Sequence, residues 1–389
     1  MSTPAGPGAG GSLSTFPFPP TPEDSAPMPK ILLLTAAYGE GHNAAARGLQ
    51  AAFGELGAEA EIVDLFALTG GAFYERTRRG YIELIDAAPK VWAAIYRLLD
   101  RLPLVPATLP FLGSMFRLLR RMLDETQPLA VVSVYPVFGY LLEHLYPQRR
   151  PFAFHTVITD SITINSVWYR CPSDTFIVPN EDSALVMLEA GVPPEKLRTL
   201  GFPVAPRFGR DRPERPAPTP PRILYMINAG RDRAPGIVRR LLAIASIHLT
   251  VTVGRDEELR LQLEQIAAEL GKPIEIHGWT QRMPELLMTH HLLIGKAGGA
   301  TVQETIAART PMLLTQIVPG QEEGNARLVL QNRCGALCET ADALGAMVER
   351  VFANGAVRWR EWEENITRLS RPDAALQIAR FVLETSPPR

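Results

Sequence analysis

The run Gly295-Lys296-Ala297-Gly298-Gly299-Ala300-Thr301 is followed by Glu304 and by Pro319-Gly320-Gln321-Glu322-Glu323-Gly324-Asn325. These residue types at this spacing suit the binding of a nucleotide sugar. An apolar strand runs into a glycine turn, and the turn opens a helix. The first N–H groups of a helix lack internal partners, and the macrodipole places partial positive charge there. Such an end can hold a diphosphate. Gly298 and Gly299 let the backbone come close to phosphate oxygens. Lys296 either neutralises phosphate charge or is an ordinary surface lysine. Glu304, three residues beyond Thr301 and expected on the first turn of the helix, is placed to accept bonds from ribose hydroxyls. Gln321, Glu322 and Asn325 carry donors and acceptors of the kind that read sugar hydroxyls.

A second cluster lies near the start of the chain. Gly39-Glu40-Gly41-His42 follows an apolar strand and opens a helix. The G-x-G-x-x-G dinucleotide pattern is incomplete because Ala44 stands at its third glycine, and Asp64 is the only candidate for a ribose-binding acid. A helix N-terminus disfavours the charged form of a histidine, so His42 reads as a neutral base able to take a proton from an acceptor hydroxyl. The alternative is a helix-start histidine bonded to a nearby carbonyl. Asp160 ends the strand Thr156–Thr159 and orients His42, binds the acceptor, or caps the following turn. Trp279, after Gly278 at another strand end, packs either on a nucleobase or into the core. Gly41 and Gly230, the latter in Asn228-Ala229-Gly230-Arg231, would let backbone approach the donor. His290 and His291 are adjacent and diverge; neither is given a role.

These residues need two frameworks to position them. Strands are expected at 30–36, 60–65, 129–135, 152–159 and 175–178, with helices between, the first helix over 42–56. Seven prolines between 203 and 221 mark a linker that resists both helix and sheet. The pattern then restarts, with strands expected at 222–228, 248–253, 273–277, 292–294 and 312–315. Alternation of this kind gives an α/β fold of two doubly wound, Rossmann-like domains facing across a cleft. The division is a disordered tail over 1–28, an acceptor- and membrane-facing domain over 29–202, a Pro-rich linker over 203–221, a donor domain over 222–370, and a last helix within 371–389 able to pack back on the first domain.

At 389 residues the chain is long enough for two cores, and 46% hydrophobic with 21% charged residues fits a globular protein. Net charge near −1 gives no global field for nucleic acid. Three cysteines, Cys171, Cys334 and Cys338, do not form a disulfide framework and suggest a reducing compartment. No metal site is read from them. No apolar run reaches the length of a membrane span, and the first residues lack the features of a signal peptide. Residues 72–125 interleave aromatics such as Trp92 and Tyr96 with basic residues such as Arg117, Arg120 and Arg121. That composition suits either an interfacial element on anionic lipid or a helical insertion with a solvated basic face.

Taken together, these motifs resemble the diacylglycerol glycosyltransferases of the monogalactosyldiacylglycerol synthase and processive glucosyltransferase group, relatives of the peptidoglycan GlcNAc transferase. The resemblance covers about residues 30–383. The group's Gly-x-Gly-His matches Gly39, Gly41 and His42. Its Lys-Ala-Gly-x-x-Thr with a downstream Glu matches Lys296, Ala297, Gly298, Thr301 and Glu304, and its Gly-Gln-Glu-x-Gly-Asn matches Gly320, Gln321, Glu322, Gly324 and Asn325. The group's Asp-Phe-x-x-His-x-x-Trp is altered: Asp160 and Trp168 remain, Ser161 replaces the Phe, and Asn165 stands where the His aligns. Ala229 also breaks a glycine-rich loop. The resemblance implies a GT-B fold and an inverting enzyme that moves galactose or glucose from a UDP-sugar to diacylglycerol. It implies His42 as base, Thr301 and the amides around Gly299 as stabilisers of departing UDP, and no cofactor beyond the co-substrate. The location implied is cytoplasmic, at the membrane periphery. A polyprenyl or other lipid acceptor, or a non-catalytic nucleotide-sugar or lipid-binding role, are the alternatives.

Overall fold

The computed structural model describes residues 28–386 except 38, 72–73, 75, 77–79, 81–90, 92–93, 95–111, 211 and 321. Trp92, Tyr96, Gln321 and nearly all of the N-terminal tail lie outside the described residues. Two six-stranded parallel sheets dominate the rest. The first contains β1 (Lys30–Thr35), β2 (Glu59–Asp64), β3 (Ala130–Ser133), β4 (Ala153–Val157), β5 (Thr175–Val178) and β6 (Leu197–Thr199), in the spatial order 2-1-3-4-5-6. The second contains β7 (Arg222–Met226), β8 (His248–Gly254), β9 (Glu275–Gly278), β10 (Leu292–Gly295), β11 (Met312–Leu314) and β12 (Gly335–Leu337), in the order 12-11-10-7-8-9. Each order reverses once, between β1 and β3 and between β7 and β10. In open parallel sheets a ligand binds outside the carboxyl ends at such a reversal.

Continuous apolar runs make the inner strands. Ile31 to Leu34 are all buried because helices cover both faces of the sheet. Helix α1 (Glu40–Glu55) buries Ala45, Ala46, Leu49, Ala52 and Phe53, a stripe at helical spacing. Gly48 of that helix faces the linker so closely that a Cβ there would overlap the Pro203 carbonyl. Further helices of the first domain are α2 (Gly113–Thr126), α3 (Phe138–Leu145), α4 (Ser166–Arg170) and α5 (Glu181–Glu189). α2 packs Met115, Leu119 and Leu123 against Phe138, Leu141 and Leu142, which leaves its arginines on the solvent face.

The linker is not free of helix: Arg207–Arg210 forms one turn, α6. Beyond it Arg215, its side chain 10% exposed, fixes the linker to the second domain. Its guanidinium donates to the carbonyls of Met288, Ala308 and Arg309, to Thr310 Oγ1 at 2.7 Å and to Glu363 at 2.6 Å. The second domain adds α7 (Ala234–Leu242), α8 (Glu257–Leu270), α9 (Met283–Thr289), α10 (Gly299–Ala307), α11 (Glu323–Gln331) and α12 (Ala341–Leu369), the last broken at 353–356. The chain then crosses back. Helix α13 (Ala374–Thr385) lays Ala375, Ile378, Ala379 and Val382 into the core shared with α1, and Arg371 pairs with Glu181. The two short edge strands, β6 and β12, were not expected from sequence.

Candidate active site

Two helix N-termini meet between the sheets. α1 begins after β1 with Gly39 as its cap residue, and α10 begins after β10 with Gly298 in that place; neither cap residue supplies a side-chain hydrogen bond. A Cβ placed on Gly41 would stand 3.8 Å from the Ala300 amide nitrogen. Two positive dipole ends with uncapped amides therefore converge, an arrangement that favours an anion between them. Thr301, Asn228 and Met226 flank the α10 end, with Asn228 Nδ2 3.5 Å from Thr301 Oγ1. Gly230 takes a left-handed conformation (φ 68°) in the loop after β7.

His42, on the first turn of α1, reaches across the sheet reversal. Its Nδ1 lies 2.8 Å from the Val134 carbonyl just beyond β3, and 2.9 Å from Thr159 Oγ1 beyond β4. A carbonyl only accepts, so Nδ1 carries the hydrogen and Nε2 keeps its lone pair. Burial lowers the imidazole pKa from 6.5 to about 4, with the Val134 bond opposing the shift. His42 is therefore neutral at neutral pH, with a free basic nitrogen. Tyr135 and Trp168 enclose the ring at centroid distances of 5.0 and 6.1 Å.

Asp160 differs from one expectation. No hydrogen bond joins it to His42; its Oδ2 accepts from Trp168 Nε1 at 2.7 Å. Asp160 thus meets the indole that packs beside the imidazole, and not the imidazole itself. Burial raises its pKa to about 6, moderated by the indole bond. Asn165 is turned inward as the cap of α4, with Oδ1 accepting from Val167 N at 3.1 Å, so its side chain is already engaged.

In the second domain Glu322 is buried and both its oxygens are engaged. Oε1 meets Lys296 Nζ at 2.9 Å, and Oε2 accepts from Val318 N at 3.0 Å. Lys296 is consequently paired rather than a bare counter-charge for phosphate, and Glu322 braces the loop instead of presenting a free carboxylate to sugar. Asn325 donates to the Ala297 carbonyl at 3.2 Å, and its buried Oδ1 finds no partner among the described residues. Glu304 lies on the second turn of α10, not the first, and faces Glu40 and Arg47 of α1. Burial and Glu40 push its pKa up to about 7, against the pull of Arg47. Trp279 is 62% exposed with Arg255 5.9 Å from its ring centroid, which excludes the core placement. Gly278 sits beside it at the end of β9, where a Cβ would be 3.3 Å from the Gly254 carbonyl.

The segment after β4 crosses the interface in a way the sequence did not reveal. Gln303 of α10 donates to Ser161 Oγ at 2.8 Å, and the Gly324 amide of α11 donates to Thr163 Oγ1 at 3.0 Å. A Cβ on Gly324 would overlap the Ser161 carbonyl. Asp64, by contrast, is consumed by structure: it accepts from Ala37 N, Ala67 N and the Tyr74 hydroxyl, which removes it as a ribose ligand. His290 and His291 are buried, bonded to Leu286, Thr250, Arg222 and Pro216. The three cysteines are buried and free. Among the described residues no group of three or more His, Cys, Asp or Glu could hold a metal, and no helix is long and apolar enough to cross a membrane.

Against known proteins, residues 42–204 match the family model of monogalactosyldiacylglycerol (MGDG) synthase. A probable chloroplastic monogalactosyldiacylglycerol synthase of Nicotiana tabacum is 26% identical over 91% of this chain and 70% of its own length. A processive diacylglycerol beta-glucosyltransferase of Bacillus cytotoxicus is 24% identical over 92% and 94%. The chain is thus similar, over about nine-tenths of its length, to proteins named as diacylglycerol glycosyltransferases. Its fold is that of the crystal structure of Acinetobacter baumannii MurG, with a TM-score of 0.59 at 13% identity over 92% of this chain and 100% of that one. The architecture is thus GT-B. The family model begins at His42 itself and ends at the linker, so it spans the imidazole, Thr159, Asp160 and Trp168.

Proposed function

We infer that the protein transfers galactose or glucose from a UDP-sugar to the hydroxyl of diacylglycerol at a membrane surface, inverting the anomeric centre. The observation that carries this is the neutral His42, held with Nε2 free, beside two uncapped helix N-termini. The UDP diphosphate seats on the amides of Gly299, Ala300 and Thr301, and the exposed Trp279 gives the uracil a face. Glu304 accepts from the ribose, and Asn325 Oδ1 supplies an unspent acceptor for the sugar. His42 Nε2 takes the acceptor proton as its oxygen bonds to the anomeric carbon and the bond to the diphosphate oxygen breaks. Negative charge developing on UDP falls where the two dipoles point, so these helix ends stabilise the transition state more than the ground state.

The acceptor is brought in through the first domain. Arg117, Arg120 and Arg121 lie exposed on α2, a basic face able to meet anionic lipid, while Trp92 and Tyr96 fall outside the described residues. Labelled UDP-galactose and UDP-glucose supplied with diacylglycerol liposomes test the reading. A β-linked glycolipid is the expected product. Transfer only to a polyprenyl lipid would reassign the acceptor, and binding of UDP-sugar without transfer to any acceptor would make the protein a binding module.

A further inference from the structure

The geometry points to Thr159 as a positioning residue that ties the base of the first domain to the donor helix of the second. This rests on the transfer reading above and adds a residue that it does not require. Thr159 is almost fully buried, just past the end of β4. Its hydroxyl oxygen lies 2.9 Å from His42 Nδ1, on the N–H that already points at the Val134 carbonyl. It therefore accepts a share of that hydrogen bond and fixes the plane of the ring. Its own carbonyl oxygen faces the start of α10, where a Cβ on Gly299 would stand 3.7 Å away. One residue thus touches the base with its side chain and the proposed diphosphate site with its backbone.

The next residues are fastened to the second domain. Ser161 accepts from the buried Gln303 of α10, and Thr163 accepts from the first turn of α11. Ile162 between them has φ 60°, an unfavourable conformation for a β-branched residue that persists only where its surroundings enforce it. Its amide donates to Ser183 Oγ at 3.0 Å, which secures the same turn to the first domain. A shift of α10 relative to the first domain must move this turn, and with it Thr159. The imidazole is then correctly aimed only when the domains sit relative to one another as they do here. This is a coupling through one continuous segment of bonded atoms, with both ends identified.

Steady-state transfer assays on Thr159→Val, Thr159→Ser, Gln303→Leu and the Thr159→Val/Gln303→Leu double variant test it. Thr159→Val keeps the shape and removes the acceptor oxygen; kcat is expected to fall roughly tenfold or more, the scale of one hydrogen bond to a group that becomes charged, with donor KM little changed. Thr159→Ser keeps the oxygen and is expected to stay within about twofold of the native kcat. Gln303→Leu acts through Thr159, so in the double variant its effect on kcat is expected to vanish, a non-additive cycle. Additive losses, an equal loss in Thr159→Ser and Thr159→Val, or a native kcat in Thr159→Val would each overturn the role. Absence of transfer by the native protein would instead overturn the functional reading, so the two failures are distinguishable.

Discussion

His42 carries two properties that are usually opposed: it is close to a polar interface, yet its imidazole is held neutral. Replacement by Gln removes the basic nitrogen while keeping a donor for the Val134 carbonyl. Transfer is expected to fall by about 10²–10⁴-fold, the contribution of a positioned general base, with melting temperature at pH 8 close to native. The pH dependence of stability has a definite sign. The folded pKa of His42, about 4, lies below its unfolded value of 6.5. Its contribution is therefore fully present above pH 6.5 and is lost as pH falls toward 4, and the Gln variant should lose less stability on that acid limb. Glu304 behaves oppositely. Its folded pKa, about 7, exceeds the usual 4.5, so stability present below pH 4.5 is lost as pH rises through 7. Glu304→Gln cannot ionise and should be more stable than the native protein at pH 8 by about 1–3 kcal/mol, converging with it below pH 4.5. Thermal melts across this range check both signs. The two key side chains were visible in the sequence because each sits at a fixed offset from a glycine turn. Their partners were not: Val134 contributes a backbone carbonyl, which has no signature, and Glu304 meets Arg47 and Glu40 of another helix through space.

At the scale of elements, the helix ends do most of the positioning. α10 starts with no side-chain cap, so its first amides face the interface. α4 starts with Asn165, whose side chain caps it. Asn165→Ala is expected to cost about 1 kcal/mol of stability, since a lost cap leaves an orphan amide; chemical denaturation measures it. Gly324→Ala is expected to be more severe and of a different kind. The added methyl meets the Ser161 carbonyl across the domain interface, so donor KM should rise along with the loss of stability. Inner strands were legible as apolar runs, β5 to the residue. β6 and β12 are three-residue edge strands, Leu-Arg-Thr and Gly-Ala-Leu, too short to show a period. The helical turn within the linker was hidden by prolines, although Arg207–Arg210 itself contains none.

Over the whole molecule, the linker and α13 divide the work of joining the domains. Arg215 makes the second half of the linker part of the donor domain, while α13 belongs to the core beneath α1. The chain therefore passes between the domains near 206–210 and again near 370–373. If the basic face of α2 docks on anionic lipid, replacing Arg117 and Arg121 with Glu should cut sedimentation with anionic vesicles severalfold and flatten its salt dependence, with catalysis on detergent-dispersed acceptor little changed. The central claim is that donor diphosphate rests on the start of α10 opposite the imidazole of α1. Hydrogen exchange with and without UDP measures this directly. Slowed exchange at the amides of Gly299, Ala300 and Thr301, with further protection in the loop after β7, is the expected result; protection confined to other surfaces, with those three amides unchanged, would contradict it.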